Sequence, residues 1–200
     1  MNAERLSIDG PAGRLELALN DPGEPRRGIA LIAHPHPLYG GTLDNKVVQT
    51  LARAMNALGY VAIRPNFRGV GDSEGVYDEG RGEAEDLLCA LTWGRSRFGD
   101  QPVVLAGFSF GAHVQSRIAA QVQPRWMVLV GPAVGRFDVA AVASNTLVVH
   151  GEEDDVVALK DVFDWARPQK LPVVVFPGAG HFFHGALVEL QRVVVGAHPI

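Results

Sequence analysis

Two hundred residues, 47% hydrophobic and 20% charged, supply one substantial core and are short for two domains of ordinary size, so a single domain over residues 1–200 is expected. A formal charge of -4 excludes nucleic acid and anionic membranes as expected partners, because binding driven by counterion release needs clustered Lys and Arg. No apolar run approaches a membrane span, residues 1–5 lack the apolar region of a signal peptide, and Cys89, the only cysteine, excludes an intramolecular disulfide or a thiolate metal cluster; a cytoplasmic protein is expected.

Residues 5–8 and 14–18, joined by Asp9-Gly10-Pro11, read as two short strands at an antiparallel edge. Residues 29–33 form a continuous apolar run. Residues 44–58 then carry Val47, Val48, Leu51, Ala54, Met55 and Leu58 at helical spacing, and Gly59 ends the helix. A strand at 60–63 and a glycine-rich loop lead to a helix over 83–98, where Cys89 falls on the buried face beside Leu87, Leu88 and Leu91. The strand at 103–106 runs into Gly107-Phe108-Ser109-Phe110-Gly111 and a helix over about 112–121. Strands at 127–130, 146–149 and 173–176 follow, with helices at 159–166 and 186–195. Strands apolar on both faces, alternating with amphipathic helices, indicate an α/β fold with a mostly parallel sheet covered on both sides.

The Gly107-Phe108-Ser109-Phe110-Gly111 pentapeptide fits the G-x-S-x-G nucleophile elbow. There a sharp strand-to-helix turn forces the serine into a strained conformation with its Oγ exposed. The following helix points its first N–H groups at the place where negative charge develops. A serine hydroxyl is a weak nucleophile at neutral pH and needs a general base, which needs an orienting acid. Val148-Val149-His150-Gly151-Glu152-Glu153-Asp154-Asp155 puts carboxylates in the loop after one strand, and Pro177-Gly178-Ala179-Gly180-His181 puts a histidine after the last. His181, directly behind the strand-ending run, is the candidate base ahead of His184, which opens the closing helix and reads as exposed; His198 has no such context. The order Ser, Asp, His along the chain is that of the α/β hydrolases.

The chain accordingly resembles the α/β-hydrolase superfamily, and more narrowly its small hydrolases related to dienelactone hydrolases. The resemblance is carried by His34-Pro35-His36-Pro37-Leu38-Tyr39-Gly40-Gly41, by residues 66–75 (Asn-Phe-Arg-Gly-Val-Gly-Asp-Ser-Glu-Gly), by the elbow, by residues 150–154 and by Gly180-His181-Phe182-Phe183. It implies an eight-stranded, mostly parallel sheet whose first two strands are antiparallel, a Ser109, Asp154, His181 triad, and no cofactor. Asp154 is the fifth residue of the His-Gly-x-x-Asp run that supplies the acid in similar hydrolases; Asp155 is the alternative. The oxyanion hole is expected from the Phe110 N–H and from a second N–H in the 34–41 loop. Pro35 and Pro37 have none, which leaves His36 and Leu38, with Leu38 preferred. This departs from the usual His-Gly-x form of the loop.

His34 and His36 without a nearby thiol or paired carboxylate make a poor zinc site, so no metal is expected. Arg68 among glycines lacks the helix N-terminus and the Lys-Ser/Thr of a phosphate loop; it is expected to anchor carboxylates or carbonyls behind the site. Only about fifteen residues separate the strand after the elbow helix from the strand bearing the acid, too few for a cap domain. An open cleft edged by Tyr39, Phe108, Phe110, Phe137 and Phe182 suits a small short-chain or aromatic ester, without interfacial activation. The same triad also serves amides and peptides, and the same fold also serves non-catalytic small-molecule receptors. A monomer or a homodimer is compatible with the chain.

Overall fold

The computed structural model describes residues 3–199. Strands β1 (Glu4–Gly10) and β2 (Gly13–Asn20) form an antiparallel hairpin, Glu4 opposite Leu19 and Gly10 opposite Gly13. The chain then alternates β3 (Gly28–Ala33), α1 (Lys46–Ala57), β4 (Tyr60–Pro65), α2 (Arg81–Phe98), β5 (Val103–Phe108), α3 (Phe110–Val122) and β6 (Trp126–Val130). It closes with β7 (Thr146–Gly151), α4 (Leu159–Ala166), β8 (Val173–Phe176) and α5 (Leu187–Gly196). The eight strands make one sheet in the order β1-β2-β4-β3-β5-β6-β7-β8, antiparallel at β1–β2 and β2–β4 and parallel elsewhere.

Every residue of β3, β4, β5 and β6 is buried. Their side chains alternate between two apolar layers: Ala30, Ile32 and Val104 face α1 and α5, while Ile29, Leu31 and Leu105 face α2 and α3. That two-sided burial is why these strands carry unbroken apolar runs rather than an alternating pattern. Each buried Ile, Leu or Val contributes roughly 1.5–3 kcal/mol of transfer free energy. A smaller cluster, Val148, Val157, Val162, Ala166 and Leu171, seats α4.

The element boundaries move by one to three residues from the periodicity, each shift with a local cause. Helix α1 begins at Lys46 rather than residue 44, because the Asn45 side chain accepts from Val47 N at 2.9 Å and caps it. Helix α2 starts two residues earlier than expected. Glu83, buried, turns back and accepts from the backbone N–H of Gly80 and of Asp78, both at 2.8 Å. Cys89 is only half-buried, its Sγ donating to the Asp9 carbonyl at 3.3 Å, so the expected core cysteine sits at the edge where α2 meets β1. Leu87 and Leu91 take the buried face.

The sheet order has one consequence for function. From β3 the chain crosses to β4 on one side and reaches β5 on the other. The loops leaving β3 and β5 therefore diverge at the carboxyl edge and open a crevice between them, the usual ligand position in an open α/β sheet. Residues 131–145, between β6 and β7, contain no helix, and no cap covers that crevice.

Candidate active site

Ser109 occupies the turn between β5 and α3 with φ 55° and ψ -117°, a left-handed conformation that costs a residue bearing a side chain on the order of 1–3 kcal/mol. Surrounding hydrogen bonds hold it there: Ser109 N donates to Val130 O at 2.9 Å, and its carbonyl accepts from Ala112 N at 3.0 Å. The flanking glycines are required by space. A Cβ on Gly107 would lie 2.6 Å from the Gly111 carbonyl group, and one on Gly111 would lie 2.3 Å from Ala33 O.

The loops after β7 and β8 bring the other two groups to this turn. His181 Nδ1 donates to Asp154 Oδ2 at 2.7 Å, and its Nε2, 3.0 Å from Ser109 Oγ, is left to accept the hydroxyl proton. His181 is 3% exposed and packs against the Phe108 ring at 4.9 Å. The Asp154 carboxylate is wholly buried. Burial alone would raise its pKa, but hydrogen bonds from His181, Val157 N and Val156 N outweigh it and hold the group below the ordinary carboxylate range. Asp155, the alternative acid, and His184, the alternative base, are both exposed and take no part in this row.

The acid loop is itself braced. Asp154 Oδ1 accepts from Val156 N at 2.9 Å and Val157 N at 2.7 Å. Fully buried His150 donates from Nε2 to Val157 O at 2.9 Å and lies 3.4 Å from Asp154 Oδ2. Its Nδ1 has no partner, and burial lowers its pKa, so it is the neutral Nε2–H tautomer. Glu152 accepts from Gly178 N at 2.9 Å, tying the acid loop to the histidine loop. The residues 150–154 run contains His150, but its bracing of the carboxylate has no signal beyond the spacing of four residues to Asp154.

On the opposite side of Ser109, a short 3-10 turn, Pro37–Tyr39, follows β3. Leu38 N, preferred from the sequence as the second oxyanion donor, donates to His36 Nδ1 at 3.2 Å within its own turn. The His36 N–H has no acceptor among the described residues. Phe110 N–H, first in α3, has no carbonyl one turn earlier to bond. His34 fixes the base of the loop, with Nδ1 donating to Pro35 O at 2.7 Å and Nε2 accepting from Phe67 N at 2.9 Å. Burial pushes its pKa down to about 4, so the imidazole is neutral.

Between these loops lies a cleft of about 490 Å³ that contains Ser109, His181 and His36 and is walled by Tyr39, Phe137 and Phe182. Phe108, expected at its edge, is instead fully buried behind His181, because the residue before Ser109 is the last of β5 and faces the α1–α5 layer. Phe110 lines the cleft from below, edge-on to Phe137 at 5.1 Å. Arg68 makes a two-pronged pair with Asp86 at 2.9 and 3.0 Å and reaches Glu85, as expected for an anchor behind the site. Among the described residues, no group of three or more His, Cys, Asp or Glu is arranged to hold a metal, and no helix is long and apolar enough to cross a membrane.

Comparison with known proteins agrees with this architecture. The model of the X-Pro dipeptidyl-peptidase (S15) family matches residues 9–171. XC6422 from Xanthomonas campestris, an α/β serine hydrolase without a lid, superimposes with a TM-score of 0.93 at 35% identity over 98% of this chain and 94% of its own. An α/β serine hydrolase homologue from Coxiella burnetii gives 0.89 at 39% identity over 100% and 99% of the two chains. The uncharacterized protein RP471 of Rickettsia prowazekii is 31% identical over 95% of this chain and 86% of its own. With its eight-stranded mixed sheet and its Ser109, His181, Asp154 arrangement, the chain belongs to the S15 family within the α/β serine hydrolases.

Proposed function

We propose that the protein hydrolyses small carboxylic esters through an acyl-enzyme on Ser109. The observation that carries this reading is the unbroken row from Asp154 through His181 to Ser109, at 2.7 and 3.0 Å, ending at an uncapped cleft. Ser109 Oγ attacks the ester carbonyl as His181 Nε2 takes its proton, and the buried Asp154 carboxylate stabilises the imidazolium. The oxyanion is received by the N–H groups of Phe110 and His36, aided by the N-terminus of α3. Collapse of the tetrahedral intermediate expels the alcohol, which collects the proton from His181. Water then attacks the acyl-enzyme with His181 again as base, releasing the acid and restoring Ser109.

The family match keeps a second reading in view, cleavage of peptide bonds by the same three residues. A dipeptidyl-peptidase grips the free amino group of its substrate, and a buried or cleft-lining carboxylate is the natural partner for that cation. No Asp or Glu is among the residues lining this cleft, which supports the ester over the X-Pro peptide. The test is a fluorophosphonate probe followed by a panel of p-nitrophenyl esters and aminoacyl-prolyl anilides. Stoichiometric labelling, lost in Ser109→Ala, with ester turnover exceeding anilide turnover, is expected. A wild-type protein inert to both the probe and the esters would overturn the proposal.

A further inference from the structure

The cleft that contains Ser109 has one permanently charged residue in its lining, Arg136. It belongs to the loop after β6, where Phe137 N donates to Ala133 O at 3.0 Å and Arg136 N to the same carbonyl at 3.2 Å. This tight turn sends the two side chains separate ways. Phe137 goes inward, stacked on His113 at 5.1 Å, and Arg136 reaches across to the acid loop. There Nε and Nη2 donate to Val156 O at 3.2 and 3.1 Å. One carbonyl occupies two of the five guanidinium N–H donors. None of the ion pairs among the described residues includes Arg136, although Asp154 and Asp155 are neighbours of the carbonyl it grips.

Two features make this more than an ordinary exposed arginine. Its head is held by the two-pronged bond to a loop that Asp154 also braces, so little side-chain freedom is left to lose when a ligand binds. Arg136 is exposed, and the residues that line the cleft with it include Phe137, Phe182, Val156 and Ala133 and no carboxylate, Asp161 lying outside the cleft against Gly135. An anion brought there meets a cation with unused N–H donors and no ion-pair partner, and the hydrogen bond it accepts is charge-assisted. The overall charge of -4 opposes long-range attraction of anions, so any preference must arise at this local contact.

We infer that Arg136 is a specificity-determining residue that selects esters bearing an anionic group, a carboxylate or a phosphate, on the part of the substrate lying along the β6–α4 wall of the cleft. The inference rests on the acyl-enzyme reading above and names the substrate class for it. The experiment compares p-nitrophenyl hemiglutarate with the neutral p-nitrophenyl valerate of similar length, and a phosphorylated ester with its hydroxyl analogue. The quantity read is the anionic-to-neutral ratio of kcat/KM. Because both members of a pair are measured on one preparation, the ratio is independent of how much protein folds.

The wild type is expected to favour at least one anionic partner by about tenfold or more, expressed in KM and weakened by added salt. Which pair gives the larger ratio distinguishes carboxylate from phosphate. Arg136→Gln is expected to bring the ratio close to one, and Arg136→Lys, which keeps the charge but loses the two-pronged hold, to retain only part of it. A wild-type ratio at or below one in both pairs, or a ratio unchanged in Arg136→Gln, overturns the inference while neutral-ester turnover leaves the acyl-enzyme reading standing. Absence of turnover for every ester, together with absence of fluorophosphonate labelling, overturns both.

Discussion

The two walls of the cleft are built differently. On the acid and base side, Asp154, His150 and His181 are buried side chains, and each carboxylate oxygen of Asp154 has a partner within 2.9 Å. On the opposite rim, Tyr39 is 87% exposed and Leu38 67%, and the 3-10 turn there is held by a few local bonds. A proton relay must keep its atoms in place to a fraction of an ångström, which a desolvated and fully bonded loop achieves. A rim that receives differing substrates needs no such rigidity, and an exposed loop tolerates change. The proton relay is therefore confined to the buried wall, and substitutions on the two walls should behave differently.

The largest effect is expected on the buried wall. Asp154→Asn keeps the volume and leaves Val156 and Val157 an oxygen to bond, but it no longer favours the Nδ1–H tautomer of His181. The ester kcat should fall about ten-thousandfold with KM little changed. A fall of less than about tenfold would show that the acid is supplied by another residue of the 152–155 run.

A smaller effect, on stability rather than rate, is expected from the histidine beneath the rim. His34 is neutral and buried with its pKa near 4 against an ordinary 6.5. At a pH above 6.5 it is uncharged whether folded or unfolded, and the full stability is present. As the pH falls from there towards 4, the unfolded chain takes up a proton that the folded chain refuses, so stability is lost through that window. The loss amounts to about 3 kcal/mol. Burial lowers His150 and His113 in the same sense, whereas the depressed Asp154 titrates below this window. Urea unfolding at neutral pH and near pH 4 measures the loss; an unfolding free energy that is flat between them contradicts a neutral His34.

The smallest effect is expected at the rim. Tyr39→Ala should leave stability within about 0.5 kcal/mol and change ester kcat/KM by only a few-fold, through KM, as read by thermal unfolding and steady-state kinetics. A hundredfold loss of kcat in this variant would mean that the rim holds the reacting atoms and would erase the distinction between the walls.

Much of this molecule is legible in its chain. Apolar runs at β3, β5 and β6 announce strands buried on both faces, and the elbow announces its own turn, since Gly107 and Gly111 stand where any Cβ would strike backbone at 2.6 Å or less. The loops bearing Asp154 and His181 are placed by following strand ends. These readings succeed because the physics that imposes them is local: strand periodicity and steric exclusion at a turn.

Other features have causes that lie between residues far apart in the chain. The engagement of the Leu38 N–H depends on where the His36 imidazole turns, the burial of Phe108 on which layer the last residue of β5 faces, and the neutrality of His150 on an unpartnered nitrogen in the core. Arg136 is the clearest case. Nothing in Val134-Gly135-Arg136-Phe137 marks it, because its position over the cleft is set by the carbonyl of Val156, twenty residues away in the chain. Composition, periodicity and turn sterics thus specify the sheet, the elbow and the order of the loops. The direction of each side chain at the site depends on long-range packing and hydrogen bonding, which come into being only when those loops meet at one sheet edge.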